Sequence, residues 1–553
     1  MSDSLRYSLL FAFLGAVLYI PFLGGVHLFD WDEINFAEIS REMMIKKDYL
    51  RIYVNFQPFW EKPPFFFWMQ ALAMRAFGVG EFAARLPNAL CGVLTLVVVF
   101  NIGQKLCGTR FGAIWATVYM GTVLPLLYFK SGIIDPFFNL FIFLGLYFFI
   151  LSYWKKDGFT SIELPRSRWW YLFLGGFFIG MGILIKGQTA YLIAVLTMGA
   201  YWVYQRFRFY VNVPQFLFFT AAASLVTLGW YGLETWHHGP WFINEFNKYQ
   251  YRLFSTPDAG HGGFPGYHVV MLLVGCFPAS IFAVRAFFRL PDEQRDHQQD
   301  FRRWMKMLFW VVLILFSIVR SKIVHYSSMC YFPLTFLAAV VLDKLLRGEI
   351  RFAAWMKVLL AAVGGVFALA TLAMPFIGMN AALLKPWFKD PFAQANLDAD
   401  VHWTGWEVLP GLLLVGLLVL TLRWFNRDRR EQAFRWLFGG TAVFVFLTLI
   451  FFIKRIEGYS QRAAIEFFES KAGQDVYVTS DAYKTYAQYF YFRKQPLANE
   501  RAYDKDWLLN GPVDKDVYIA VKNYYAPQLT SRPDIEKVGE KNGFVFLKRR
   551  KQQ

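Results

Sequence analysis

Charge is scarce in this chain. Only 18% of its 553 residues are Asp, Glu, Lys or Arg, while 56% are hydrophobic and 20% aromatic; soluble domains carry about 25% charged residues. That balance excludes a water-soluble protein. Acid is the scarcer sign: 40 Asp and Glu against 57 Lys and Arg leave a net charge of +17. The excess does not require nucleic acid, because membrane proteins gather Lys and Arg in cytoplasmic loops, where they also attract anionic lipid headgroups. Cysteine is scarce as well. Cys91, Cys107, Cys276 and Cys330 lie in or beside apolar runs and form no C-x-x-C pair. This excludes a disulfide framework and a zinc knuckle. Internal repeats and low-complexity tracts are also missing.

What is abundant is apolar sequence in runs long enough to span a bilayer, which takes about 20 residues. Thirteen spans are expected, near 6–24, 82–104, 111–129, 134–153, 169–185, 188–205, 212–231, 267–287, 305–320, 325–343, 353–374, 407–423 and 434–453. The first is an uncleaved signal anchor. The run Phe65–Phe77 is too short and follows Pro63-Pro64, so it is expected to be re-entrant or interfacial. Alternate loops are basic, among them Lys105/Arg110, Arg206/Arg208 and Arg423 to Arg435. They mark one cytoplasmic side and put loops 25–81, 232–266 and 375–406 on the outer side. The expected fold is a polytopic α-helical membrane protein, 1–454, followed by a soluble outer α/β domain, 455–553. In that domain 475–479, 516–521 and 544–548 read as strands and 482–492 as a helix.

The first outer loop concentrates the chemistry. Asp30 and Glu33 fit a capping box for a helix over Glu33 to Ile45, with Phe36, Ile39 and Met43 at helical spacing. If Asp30 caps, Asp32 is a spare carboxylate beside the membrane and a candidate catalytic group. Glu61 and Lys62 precede the proline break, either as a structural ion pair or as contact groups.

Charge within spans is a functional hypothesis by default, and here it crowds the outer rim: Lys130, Asp135, Lys186, Arg320, Lys322 and His325. Each has a plainer reading. Lys130 and Arg320 at helix ends can snorkel, Lys186 can serve a turn at Gly187, and Asp135 can be an N-cap. The SKIVHY cluster holds Lys322, His325 and Tyr326. Loop 232–266 adds Glu234, His237, His238, Arg252, Asp258, His261 and a glycine-rich GHGGFPGY segment suited to moving over a site. A rim cavity fits two amphiphilic substrates better than a transporter, whose charged groups are expected near the midplane.

The motifs DWDEINFAEISREM (30–43), FWEKPPFFFW (59–68), GVGEFAARLP (78–87), IIDPF (133–137) and SKIVHYSS (321–328) resemble those of the bacterial aminoarabinose transferases. These lie in the protein O-mannosyltransferase-like group of GT-C glycosyltransferases. The resemblance runs over the membrane region and the C-terminal domain. It implies a sugar carried on undecaprenyl phosphate, 4-amino-4-deoxy-L-arabinose, moved to a lipid A phosphate at the periplasmic face of the inner membrane. It also implies Asp32 and Asp135 as the two catalytic acids. Cations must then receive the leaving phosphate: Lys62, Arg252, Lys186 and Lys322. Glu61, His325, Tyr326 and Arg41 are candidates to bind or orient substrate. No cofactor is required; a divalent metal on Glu61 and a nearby His is compatible with the sequence. Transfer of another polyprenyl-linked sugar to protein, glycan or lipid is the alternative reading, and a lipid or solute transporter a remote one.

Overall fold

The computed structural model describes residues 3–159, 161–256, 262–291 and 295–552. The N-terminal apolar run forms α1 (Asp3–Tyr19), and the first loop folds as α2 (Asp32–Lys46), a short hairpin of β1 (Tyr53–Val54) and β2 (Gln57–Pro58), and α3 (Phe65–Phe77). There follow α4 (Glu81–Cys107), α5 (Thr109–Met120), α6 (Val123–Phe129), α7 (Asp135–Asp157), α8 (Arg168–Lys186), α9 (Thr189–Tyr204) and α10 (Val213–His238). Next come α11 (Trp241–Ser255), α12 (Tyr267–Gly275), α13 (Ala279–Ala286), α14 (Asp296–Ile318), α15 (Tyr331–Leu346) and α16 (Ala354–Met379). The bundle closes with the short α17 (Pro391–Asn396), α18 (Leu409–Asn426) and α19 (Arg430–Gly458).

All the expected spans fall on helices, but their number differs. Among the described residues eight helices are long and apolar enough to cross a membrane, or ten if two bent pairs each count as one. The pairs are α5 with α6, bent by 73°, and α12 with α13, bent by 118°. Apolar length was visible in the sequence; these bends were not. Small residues let the helices approach closely. A Cβ at Gly180 of α8 would stand 2.7 Å from the Ala223 carbonyl of α10, and Gly176 abuts the Phe219 carbonyl.

The basic loops meet at one end of the bundle. Arg110 contacts Glu431 at 2.7 Å, Arg430 donates to the Leu345 carbonyl at 2.8 Å, and His297 is bonded to the Leu106 carbonyl at 2.9 Å. The first loop and the chain after α19 occupy the other end. There α20 (Arg462–Glu469) leads into β3 (Tyr477–Asp481), a single turn α21 (Ala487–Phe490), and α22 (Lys505–Asn510). The sheet is completed by β4 (Val517–Lys522), then α23 (Ala526–Thr530), β5 (Ile535–Lys541) and β6 (Phe544–Arg549). Its order is β3-β4-β6-β5, with β3 and β4 parallel (Tyr477 opposite Val517) and the other pairs antiparallel. Side chains alternate along the strands. Val478, Ala520, Phe544 and Phe546 join the core of the bundle, while Tyr477, Ile519, Val545 and Leu547 form a separate core with Leu508, Leu509 and Val513. Phe467 of α20 stacks on Phe546 at 4.2 Å and fastens the inner face. The expected helix over 482–492 is reduced to α21, and β5 was not foreseen.

Candidate active site

The capping box does not form. Trp31 is the N-cap of α2, without a side-chain cap. Asp30 instead accepts from the Thr485 hydroxyl and, at 3.2 Å, from the Tyr486 amide. Its own amide donates to Gln461 at 3.1 Å, and Trp31 Nε1 donates to the Lys484 carbonyl at 2.9 Å. These two residues therefore grip the C-terminal domain immediately before Asp32.

Glu33 is a hub. Arg85 of α4 reaches it with two bonds of 3.0 and 2.8 Å, and the amides of Phe29 and Gly132 donate to it at 2.9 and 2.5 Å. Burial works against the Glu33 carboxylate, but Arg85 and these donors outweigh it and hold it below the usual range. Gly132 lies three residues before Asp135, so one buried anion fixes the start of α2 relative to the start of α7.

Asp32 is left pointing into open space. Its carboxylate is 41% exposed and lies 3.8 Å from His325 Nε2. Asp135 is buried and does not cap α7; it accepts from Lys186 Nζ at 2.6 Å. Lys186 sits where α8 ends, and the turn needs glycine: Gly187 has φ +81 and packs against the Phe246 ring. The ammonium also lies 5.2 Å from the Tyr326 ring centre. Lys62 donates to the Tyr249 hydroxyl at 3.1 Å, and Arg252 lies 5.3 Å from the same ring. Burial lowers the Lys62 pKa, but Tyr249, Glu61 and Asp32 outweigh it, so Lys62 is raised above the usual lysine range and is a cation at any physiological pH.

Asp32, Glu61, Lys62, Asp135, Lys186, Arg252, His325 and Tyr326 all line one cavity of about 1460 Å³. Two candidates do not. Lys322 spends its ammonium on the carbonyls of Phe316, Ser317 and Val319, at 3.1, 2.7 and 2.5 Å; it closes the end of α14 instead of facing the cavity. Arg41 is buried against Glu38 with two bonds of 2.7 Å and donates to the Lys494 carbonyl at 2.7 Å, so it clamps the C-terminal domain rather than orienting substrate. Lys130 also closes a helix end, bonding the Pro21 carbonyl at 2.7 Å. Asp258 and His261 lie outside the described residues. Among the described residues no group of three or more His, Cys, Asp or Glu side chains could hold a metal ion.

Sequence reasoning missed Tyr249, Lys484 and Tyr486, all of which line the cavity. Tyr249 and Arg252 are three apart on one strongly amphipathic helix, a usable signal. Nothing local marks Lys484 or Tyr486.

Residues 61–230 match the family described as dolichyl-phosphate-mannose-protein mannosyltransferase. The undecaprenyl phosphate-alpha-4-amino-4-deoxy-L-arabinose arabinosyl transferase of Erwinia tasmaniensis is 26% identical over 60% of this chain and 59% of its own length. The transferase of the same name from Pectobacterium atrosepticum is 24% identical over 78% and 73%. The match thus spans about three fifths of the Erwinia enzyme. The crystal structure of ArnT from Cupriavidus metallidurans bound to undecaprenyl phosphate superposes with a TM-score of 0.74 at 17% identity, over 99% of this chain and 98% of that one. The apo structure of the same protein gives 0.71. The chain shares the fold of these two structures. Within that fold it resembles the aminoarabinose transferases.

Proposed function

We propose that this protein moves 4-amino-4-deoxy-L-arabinose from undecaprenyl phosphate to a lipid A phosphate, at the periplasmic face of the bacterial inner membrane. The observation that carries the reading is one cavity lined by a partly exposed carboxylate, Asp32, by the cations Lys62 and Arg252, and by apolar side chains. The similar proteins are named for that sugar and that lipid.

Chemistry follows from placement. The bond from sugar C1 to the donor phosphate oxygen breaks, leaving its electron pair on undecaprenyl phosphate. Lys62 and Arg252 receive that charge, as preorganised cations that need no reorganisation when it develops. A bond from C1 to an acceptor phosphate oxygen forms. A phosphate monoester is already largely dianionic near neutral pH, its second pKa being about 6, so no strong base is needed. Asp32 faces the electron-poor C1 and stabilises its positive charge; Asp135, held by Lys186, keeps the Lys186 ammonium and Tyr326 in register. An alcohol acceptor would need Asp32 or Asp135 as a general base.

Mass spectrometry of lipid A from cells with and without the gene tests the reading. A mass increment of one aminopentose on lipid A phosphate is expected. Unchanged lipid A, with purified protein still consuming a polyprenyl-linked sugar in detergent, would move the acceptor to protein or glycan. No consumption at all would remove the enzyme class.

A further inference from the structure

The cavity has two apolar walls carried by different helices. Leu192 and Val195 of α9 and Leu315 and Phe316 of α14 form one, beside Tyr249 and Arg252; the other is a stripe on α19. Phe446, Leu449, Ile450 and Ile453 on that stripe recur at helical spacing. Phe446 packs against Phe22, just after α1, with ring centres 6.0 Å apart.

The cations differ in how they are used. Lys186 is paired with Asp135, Arg85 with Glu33, and Lys130 is spent on backbone carbonyls. Lys454 directly follows the α19 stripe, and Lys484 comes from the C-terminal domain. Both are exposed, both line the cavity, and among the described residues neither is paired with a carboxylate. Lys484 is held in place by aromatic groups, and its charge reaches the Asp30 carboxyl without forming an ion pair with it. Its carbonyl takes the Trp31 indole, and its ammonium lies 5.1 Å from the Trp31 ring and 5.5 Å from the Tyr486 ring.

We infer that Lys454 and Lys484 form a second anion site, for the phosphate monoester of the acceptor glycolipid, with the α19 stripe taking its acyl chains. The assignment rests on the reading above that the enzyme joins two lipid phosphates. The leaving phosphate needs cations close to Asp32, which Lys62 and Arg252 provide. An acceptor with a bulky sugar headgroup needs exposed cations at a wide mouth. The C-terminal domain is then part of the binding site.

Native mass spectrometry of the full chain tests this without turnover. The probes are monophosphorylated lipid A and its dephosphorylated counterpart. Wild type should bind the phosphorylated form about tenfold tighter or more, the scale of one well-placed charge contact. The double variant Lys454→Glu/Lys484→Glu should lose that preference and keep its affinity for undecaprenyl phosphate, while Lys454→Arg/Lys484→Arg should retain both. Equal binding of the two probes by wild type would overturn the proposal, as would loss of undecaprenyl phosphate binding in the Glu variant. Excess phosphatidylglycerol erasing the preference would assign the lysines to bulk anionic lipid and equally overturn it. Because binding is read directly, the site stands or falls separately from the identity of the transferred sugar.

Discussion

Asp32 differs from its neighbours in having, among the described residues, only a loose ion-pair contact, His325 at 3.8 Å. Asp30 is committed to Thr485 and Tyr486, Glu33 to Arg85, and Glu38 to Arg41. Asp32→Asn should therefore leave folding intact and lower transfer by about 10²- to 10³-fold, the scale of one lost electrostatic contact to a transition state. Turnover of labelled donor by monodisperse detergent-purified protein measures it; near wild-type turnover would reject Asp32 as the reacting-centre acid. Lys62→Ala should raise the donor KM more than that of the acceptor. At this scale the sequence was readable where charge stood out in an apolar chain, as at Asp32, Lys62, Asp135 and Lys186. It misled where the same signal arises from structural work. Lys322 and a phosphate-binding lysine look alike until the three carbonyls at the end of α14 are placed around one of them.

Among the elements, α2 matters most because it is fastened at both ends. Arg85→Ala would leave Glu33 buried without its cation, a change that costs about 3–5 kcal/mol in comparable pairs. A marked fall in the thermal midpoint is expected, with a smaller fall in Arg85→Leu/Glu33→Gln. Proton binding also acts here. Burial raises Asp30 from 3.8 to about 6 against the pull of Thr485, Tyr486 and Lys484. Burial lowers His27, but Glu457 outweighs it, with Glu469 and Glu81 adding to the rise above 6.5. Both groups bind protons more tightly in the folded protein. The stability they contribute is fully present below their unfolded values and is lost as pH rises, through about 6 for Asp30 and above 6.5 for His27. Melting curves from pH 4 to 8 should show Asp30→Asn/His27→Gln less pH-dependent than wild type. An identical slope in both would contradict the assignment. Helix α2 was legible to within a residue at each end from its apolar period. Its capping was not, because the partners of Asp30 lie more than 430 positions away along the chain.

In the whole molecule, the helical bundle and most of the terminal sheet could be read in advance, since apolar length and period-two alternation are local signals. Strand β5 could not. Its sequence, IEKVGEK, is half charged and sits at an edge where only one neighbour pairs with it. The way the C-terminal domain enters the cavity was equally hidden. A chain ending after α19 should still insert in the membrane, yet it should lose transfer by more than about 10²-fold, since several contacts are removed together. Full activity from that truncated protein, assayed in detergent, would make the domain an accessory.

The grip of Asp30 and Trp31 on residues 484–486 has a consequence for when the enzyme comes to life. The residues that line the cavity all precede the end of α19 except Lys484 and Tyr486, which belong to the C-terminal domain. Strand β6 lies between β4 and β5, so the sheet of that domain is complete only after all the strands that follow α19 have been made. A chain made only as far as α19 therefore has most of the cavity's lining without Lys484 and Tyr486.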